Sequence, residues 1–343
     1  HPEREKDLIV LTTSGSSGTP LKMIYTQKEQ GCSDANWVRV LSAAGYKPLR
    51  GKMYSFVASH RGNRPHDRDS VVQKFGLMRR KVVEETGAVG DGLADMIRDI
   101  NEYKPDVLCL RRNVLIRLIQ YAQENDIKLH KPKLYAPAGE TIDALSRKIM
   151  AKAFGDGLVD AYGLSELGSF IYQFPGKPYR VVANDIAVAN VYNDKNELAD
   201  EGRIIASSLY KTSYPVINYE TGDLAKSYVK DGIRYFTDIT GRMNDLVKHE
   251  NGVDSSAVDL MMIANHADCV SQFRFTQESY HDLLVELVAD SFSKNVNKEL
   301  AEEQIIGEIN ERFGDEFNIR IEWLDELPPE KTGKLRCFVC NVK

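Results

Sequence analysis

Between Asp91 and Ala161, helix-spaced and strand-like segments alternate, and few architectures accept that order. Asp91 to Glu102 has helical spacing and stops near Lys104-Pro105, because a proline disfavours helix in the residue before it. Val107 to Leu110 is a short apolar strand, and Val114 to Asn125 is an amphipathic helix with Leu115, Leu118, Ile119 and Ala122 on one side. Leu134 to Ala136 reads as a strand, Ile142 to Phe154 as a helix and Leu158 to Ala161 as the next short strand. Such a succession predicts a mostly parallel sheet with crossover helices. Ligands on these sheets collect where strands end, which puts Gly139 and Glu140 near a candidate ligand.

Upstream, Thr12 to Thr26 reads TTSGSSGTPLKMIYT, entered from the branched apolar run Leu8 to Leu11 and left through the strand-like Lys22 to Tyr25. Thr13, Ser14, Ser16, Ser17 and Thr19 alternate with Gly15 and Gly18, so backbone N–H groups and hydroxyls are open to an anion together. No Gly-Lys-Ser/Thr follows the glycines, which removes a P-loop NTPase reading. By itself such a run also fits a surface turn. Gln27 to Ala43 predicts a helix burying Trp37, Val40 and Leu41, and Lys52 to Ala58 a strand. Val181 to Val191 and Gly202 to Ser207 alternate like strands of an antiparallel subdomain. From Asp254 onward the pattern is a small α/β unit, with a helix over Ser256 to Ile263 and strands over Cys269 to Phe275 and His281 to Ala289. A helix over Val296 to Phe313 and strands over Asn318 to Trp323 and Leu335 to Val342 complete it.

At 343 residues there is room for one large domain and a smaller one. The formal net charge of -5, with both signs mixed, offers no general attraction to nucleic acid or anionic membranes. The basic stretches Arg61 to Arg68, Arg79 to Lys81 and Arg111-Arg112 lack interleaved aromatics. No apolar run is long enough for a membrane-spanning helix, and five scattered cysteines fit a reducing, cytoplasmic setting. Cys337 and Cys340 have metal-ligand spacing without a second pair nearby, so alternate positions on a final strand are the simpler reading.

Further motifs follow in order: Tyr162-Gly163-Leu164-Ser165-Glu166, Tyr219-Glu220-Thr221-Gly222-Asp223, Gly241-Arg242-Met243-Asn244-Asp245, and a loop from Leu327 through Gly333-Lys334 to Arg336. With the glycine loop, they resemble the acyl-adenylate-forming, AMP-binding enzymes, most of all the branch with phenylacetate–CoA ligases and capsule-synthesis adenylating proteins. The resemblance runs from Leu8 to Val342.

The resemblance implies an α/β fold: a large domain over residues 1–243 with a mostly parallel sheet and an antiparallel subdomain, and a small mobile C-terminal α+β domain over 244–343. Relatives carry more sequence ahead of the glycine loop, so the N-terminal part of the large domain is expected to be lacking. The implied activity is ATP-dependent activation of a carboxylic acid to an acyl-adenylate, with pyrophosphate release and transfer to the thiol of coenzyme A or a carrier protein. A weak or inactive nucleotide-binding homologue, or an enzyme with a non-thiol acceptor, stays open, as does a homodimer. Thr13 to Thr19 would hold the β- and γ-phosphates, Gly139 and Glu140 would lie along the adenine, and Tyr162 would offer it a ring. Gly163 would permit the turn, Ser165 would face phosphate, and Glu166 would hold magnesium. Asp223 would accept from the ribose hydroxyls, Arg242 would hold ribose or phosphate, Asn244 would be the hinge, and Lys334 would bridge carboxylate and α-phosphate.

Overall fold

The computed structural model describes residues 8–12, 22–57, 79–84, 91–138, 142–242, 246–252, 255–257, 260–261, 263–264, 267, 269–290, 297–328 and 335–342. Strands β1 (Leu8–Thr12) and β2 (Lys22–Thr26) form an antiparallel hairpin closed by the Thr12–Lys22 pair, so the glycine loop joins its two strands. Helix α1 (Gln27–Ala43) starts where the sequence predicts it, because Thr26 and Glu29 form a reciprocal capping box. Val40 and Leu41 are buried, and Trp37 half-buried.

A parallel sheet of order β4-β3-β5-β6 follows, from β3 (Lys52–Val57), β4 (Arg79–Glu84), β5 (Val107–Cys109) and β6 (Leu134–Tyr135). Helices α2 (Asp91–Tyr103), α3 (Arg112–Glu124) and α4 (Ala144–Phe154) are the crossovers the alternating pattern requires. The prediction of a strand near Leu158 needs correction. Leu158 makes one parallel bridge to Tyr135, and the strand proper, β7 (Asp160–Leu164), turns into a different sheet.

That second sheet is antiparallel, of order β10-β11-β12-β13-β9-β8-β7. Its other members are β8 (Gly168–Gln173), β9 (Arg180–Val182), β10 (Ala187–Tyr192), β11 (Glu201–Ser208), β12 (Tyr219–Lys230) and β13 (Ile233–Arg242). Val181 to Val191, expected as one strand, is split between β9 and β10.

The smaller C-terminal α+β domain contains the pair β14 (Leu246–Val247) and β15 (Ser255–Ser256). Its main sheet has the order β18-β17-β16-β19, from β16 (Val270–Gln277), β17 (Asp282–Ala289), β18 (Asn318–Leu324) and β19 (Phe338–Cys340), with helix α5 (Lys298–Phe313). Leu260, Ile263, Phe273 and Phe275 share one apolar cluster with Leu115, Leu118, Ile149 and Met150 of α3 and α4. At that seam Arg117 donates to Glu326 at 2.6 Å, and Arg112 pairs with Asp143 and lies 3.9 Å from the Cys337 sulfur. Arg111 and Arg112 are both buried, so this pair is internal structure and not a solvated basic face. Cys337 precedes the last strand and Cys340 ends it, its thiol 3.4 Å from the Gln277 amide oxygen.

Candidate nucleotide and carboxylate site

The antiparallel sheet bulges where the motifs need it to. The β12–β13 register shifts between Asp223 and Leu224, and Gly222 takes φ +79°, a conformation costly to any residue with a β-carbon. The kink turns Asp223 inward to 6% exposure, with its N–H donating to the Thr221 hydroxyl at 3.2 Å. That hydroxyl donates to the Ile204 carbonyl at 3.1 Å, which ties the Thr-Gly-Asp turn to β11. A β-carbon on Gly222 would meet nothing within 4 Å, so space is open beside the aspartate.

A second shift falls between Tyr162 and Gly163. Gly163 was expected to permit a turn; it lies within β7, and close packing is what demands glycine there. A β-carbon on it would stand 2.4 Å from both the Gly168 carbonyl oxygen and the Ser169 Cα. The Tyr162 ring meets Phe170 edge-on at 5.5 Å, and its hydroxyl donates to Asp223 at 2.6 Å. Tyr162 and Asp223, expected at adenine and ribose, are thus brought into direct contact. Arg242 is the cross-strand partner of Asp223 in the β12–β13 ladder.

Glu166 is half-buried, and its carboxylate accepts from the Tyr219 hydroxyl at 3.0 Å. Gly163 and Ser165 beside it are exposed. Thr13 to Thr19, Gly139, Glu140, Asn244, Lys334 and the Arg242 side chain lie outside the described residues.

Sequence reasoning missed Lys211 and Glu29. Lys211, 5% exposed, donates from Nζ to the backbone carbonyls of Ser165 at 3.2 Å and Glu166 at 2.6 Å. The same ammonium sits 3.8 Å from the centroid of the Tyr25 ring, on the strand leaving the glycine loop. Burial pushes it down to about 7, against the pull of the Glu166 and Glu29 carboxylates. Glu29 closes the α1 capping box and also accepts from the backbone N–H and hydroxyl groups of Thr212 and Ser213. Burial alone would raise this carboxyl, but donors from Ser213, Thr26 and Thr212 outweigh it and hold it at about 2. The only sequence signal was the Thr26-Glu29 spacing, which reads as an ordinary helix start.

The donor set fits a magnesium nucleotide. Magnesium prefers few protein oxygens and several phosphate or water oxygens, and Glu166 offers one hard, half-buried carboxylate, held by the Tyr219 hydroxyl. Among the described residues, no group of three or more His, Cys, Asp or Glu is placed to hold a metal by itself. Among those residues, too, no helix is long and apolar enough to cross a membrane.

A family model described as the CapK C-terminal domain matches residues 247–341. Protein CapK of Staphylococcus aureus is 27% identical over 267 residues, covering 75% of this chain and 57% of that protein. A phenylacetate–coenzyme A ligase of Aromatoleum evansii is 25% identical over 275 residues, covering 71% of this chain and 56% of the ligase. The chain therefore spans little more than half the length of the curated relatives it matches. Among solved structures, 2-hydroxyisobutyryl-CoA ligase in a postadenylation state superposes with TM-score 0.75 at 15% identity, over 98% of this chain and 74% of that one. The same ligase in its thioesterification state scores 0.58 at 15% identity, over 98% and 75%. The ordered motifs, the two-domain fold and these relatives agree: the chain has the fold of the acyl-adenylate-forming, AMP-binding enzymes and is similar to CapK and phenylacetate–CoA ligases.

Proposed function

We propose that this protein uses ATP to activate a carboxylic acid as an acyl-adenylate, releasing pyrophosphate. The contact of Tyr162 with Asp223 carries the reading, since it sets an aromatic ring and a buried carboxylate side by side, each next to a bulge in its strand. That pairing suits a nucleoside: Tyr162 stacks on the base while Asp223 accepts from the ribose hydroxyls. Hydrogen bonds to a charged acceptor contribute roughly 1.5–3 kcal/mol each. The loop Thr13 to Thr19 wraps the β- and γ-phosphates, Gly139 and Glu140 border the adenine, Ser165 faces phosphate, and Arg242 holds the ribose or α-phosphate side. When bound at Glu166, magnesium offsets phosphate charge. A carboxylate oxygen of the acid attacks the α-phosphorus, and the bond to the bridging oxygen breaks as pyrophosphate leaves. Lys334 steadies both anions as they meet, and a unit pair at ~4 Å in an effective dielectric of ~20 is worth about 4 kcal/mol.

The large domain covers residues 1–243 and the small one 244–343, with Asn244 as the pivot. Transfer of the acyl group to the thiol of coenzyme A or of a carrier protein follows, in a cytoplasmic setting. Titration with a non-hydrolysable acyl-sulfamoyl adenosine tests the reading. Binding at least tenfold tighter than AMP supports a joint nucleotide and acyl site, whereas affinity equal to AMP removes the acyl half.

A further inference from the structure

The geometry points to Lys211 as a positioning residue that fixes the Ser165-Glu166 backbone against the hairpin carrying the glycine loop; this rests on the nucleotide reading above. The Lys211 amino group is buried with no carboxylate in hydrogen-bond contact among the described residues, an arrangement that costs stability unless its donors are used. They are used on consecutive carbonyls of the motif that supplies the proposed magnesium ligand, at 3.2 and 2.6 Å. The Tyr25 ring receives the ammonium on another side, at 3.8 Å. Tyr25 pairs with Ile9 across the hairpin, so the ring is fixed to both strands that flank the glycine loop.

The neighbours of Lys211 extend the same clasp. Tyr210 donates to the Leu167 carbonyl at 3.2 Å, one residue beyond the motif. Thr212 and Ser213 donate to Glu29, in the first turn of the helix directly after β2. The segment Tyr210 to Ser213 thus bonds to the Ser165–Leu167 backbone on one side and to the hairpin–helix unit on the other. A loop that wraps phosphate and a carboxylate that shares its metal must keep a fixed spacing, and Lys211 spans that gap. It holds Glu166 from behind, at the carbonyl, while Tyr219 holds the carboxylate in front at 3.0 Å. A purely apolar side chain of similar length would fill the space and leave both carbonyls unpaired.

The test compares wild type with Lys211→Met and Lys211→Arg in three measurements: the thermal midpoint, calorimetric affinity for magnesium-ATP and for AMP, and the KM for ATP against kcat. Lys211→Met is expected to weaken magnesium-ATP at least tenfold and AMP, which lacks the outer phosphates, less than threefold. The KM for ATP should rise by more than kcat falls. Lys211→Arg keeps charge and donors and should restore most of the ATP affinity. Lys211→Met that melts earlier yet binds magnesium-ATP as wild type does would overturn the proposal and leave Lys211 a packing residue. Equal losses for ATP and AMP would overturn it too. A wild-type protein that binds neither nucleotide would instead overturn the nucleotide reading, and the proposal with it.

Discussion

The Tyr162 hydroxyl lies 2.6 Å from the Asp223 carboxylate, although β7 and β12 are separated in their sheet by β8, β9 and β13. In a flat sheet, four strand spacings of about 4.8 Å would hold them about 19 Å apart. The sheet must therefore curl until its edge strand faces an inner one, and the bulges at Tyr162/Gly163 and Asp223/Leu224 supply the bends. The candidate nucleoside position is a product of that curl.

Asp223→Ala should cut AMP affinity by roughly a hundredfold, since two ribose hydrogen bonds at ~1.5 kcal/mol each sum to about 3 kcal/mol. Tyr162→Phe keeps the ring and removes its hydroxyl, so the expected loss is about tenfold or less. Calorimetric titration of both variants checks the ranking. A Tyr162→Phe loss larger than that of Asp223→Ala would contradict it.

Gly163→Ala should destabilise the fold by about 2 kcal/mol or more, because the added carbon meets backbone atoms of β8 at 2.4 Å and no side chain there can yield. Urea denaturation gives the number directly. An unchanged midpoint would show that β7 and β8 separate easily.

Glu29 makes stability depend on acid in a defined window. Its folded-state value, about 2, is below its ordinary 4.5, so its contribution is fully present above about pH 4.5 and is lost as pH falls toward 2. The shift corresponds to about 3 kcal/mol. Glu29→Gln should lower the thermal midpoint at pH 6 and flatten its decline between pH 4.5 and 2. Parallel pH curves for the two proteins would contradict this.

Lys334→Ala should slow adenylation by about a hundredfold, corresponding to roughly 3 kcal/mol in the transition state, and leave ATP binding nearly intact. Pyrophosphate release alongside ATP calorimetry separates the two effects. Unchanged release would remove Lys334 from the chemistry.

Local signals carried much of this fold, and long-range ones did not. Helix α1 keeps its predicted bounds because the Thr26-Glu29 capping box sets its start from four consecutive residues. The crossover helices of the parallel sheet follow from apolar spacing alone. Strand β4 went unread because Arg79-Arg80-Lys81 looks like a solvated basic run, yet the Arg80 guanidinium folds onto the Ser55 hydroxyl at 2.9 Å. Strand β8 follows the Tyr-Gly-Leu-Ser-Glu motif so closely that the motif obscured it. Tyr162, Ser165, Glu166 and Asp223 were named by motif order, but the contact of Tyr162 with Asp223, 61 positions apart, depends on the curl of the sheet. Lys211 was invisible for the same reason: a lone lysine reads as surface until Tyr25 and the Ser165-Glu166 carbonyls close around it.

The central claim is tested most directly by carboxylate-dependent pyrophosphate release from magnesium-ATP, across aryl, fatty and amino acids, with and without coenzyme A. The account predicts release that requires one class of acid and falls with Asp223→Ala and Lys334→Ala. Silence with every acid, from a protein that still binds ATP, would contradict it and leave a nucleotide-binding module without ligase chemistry.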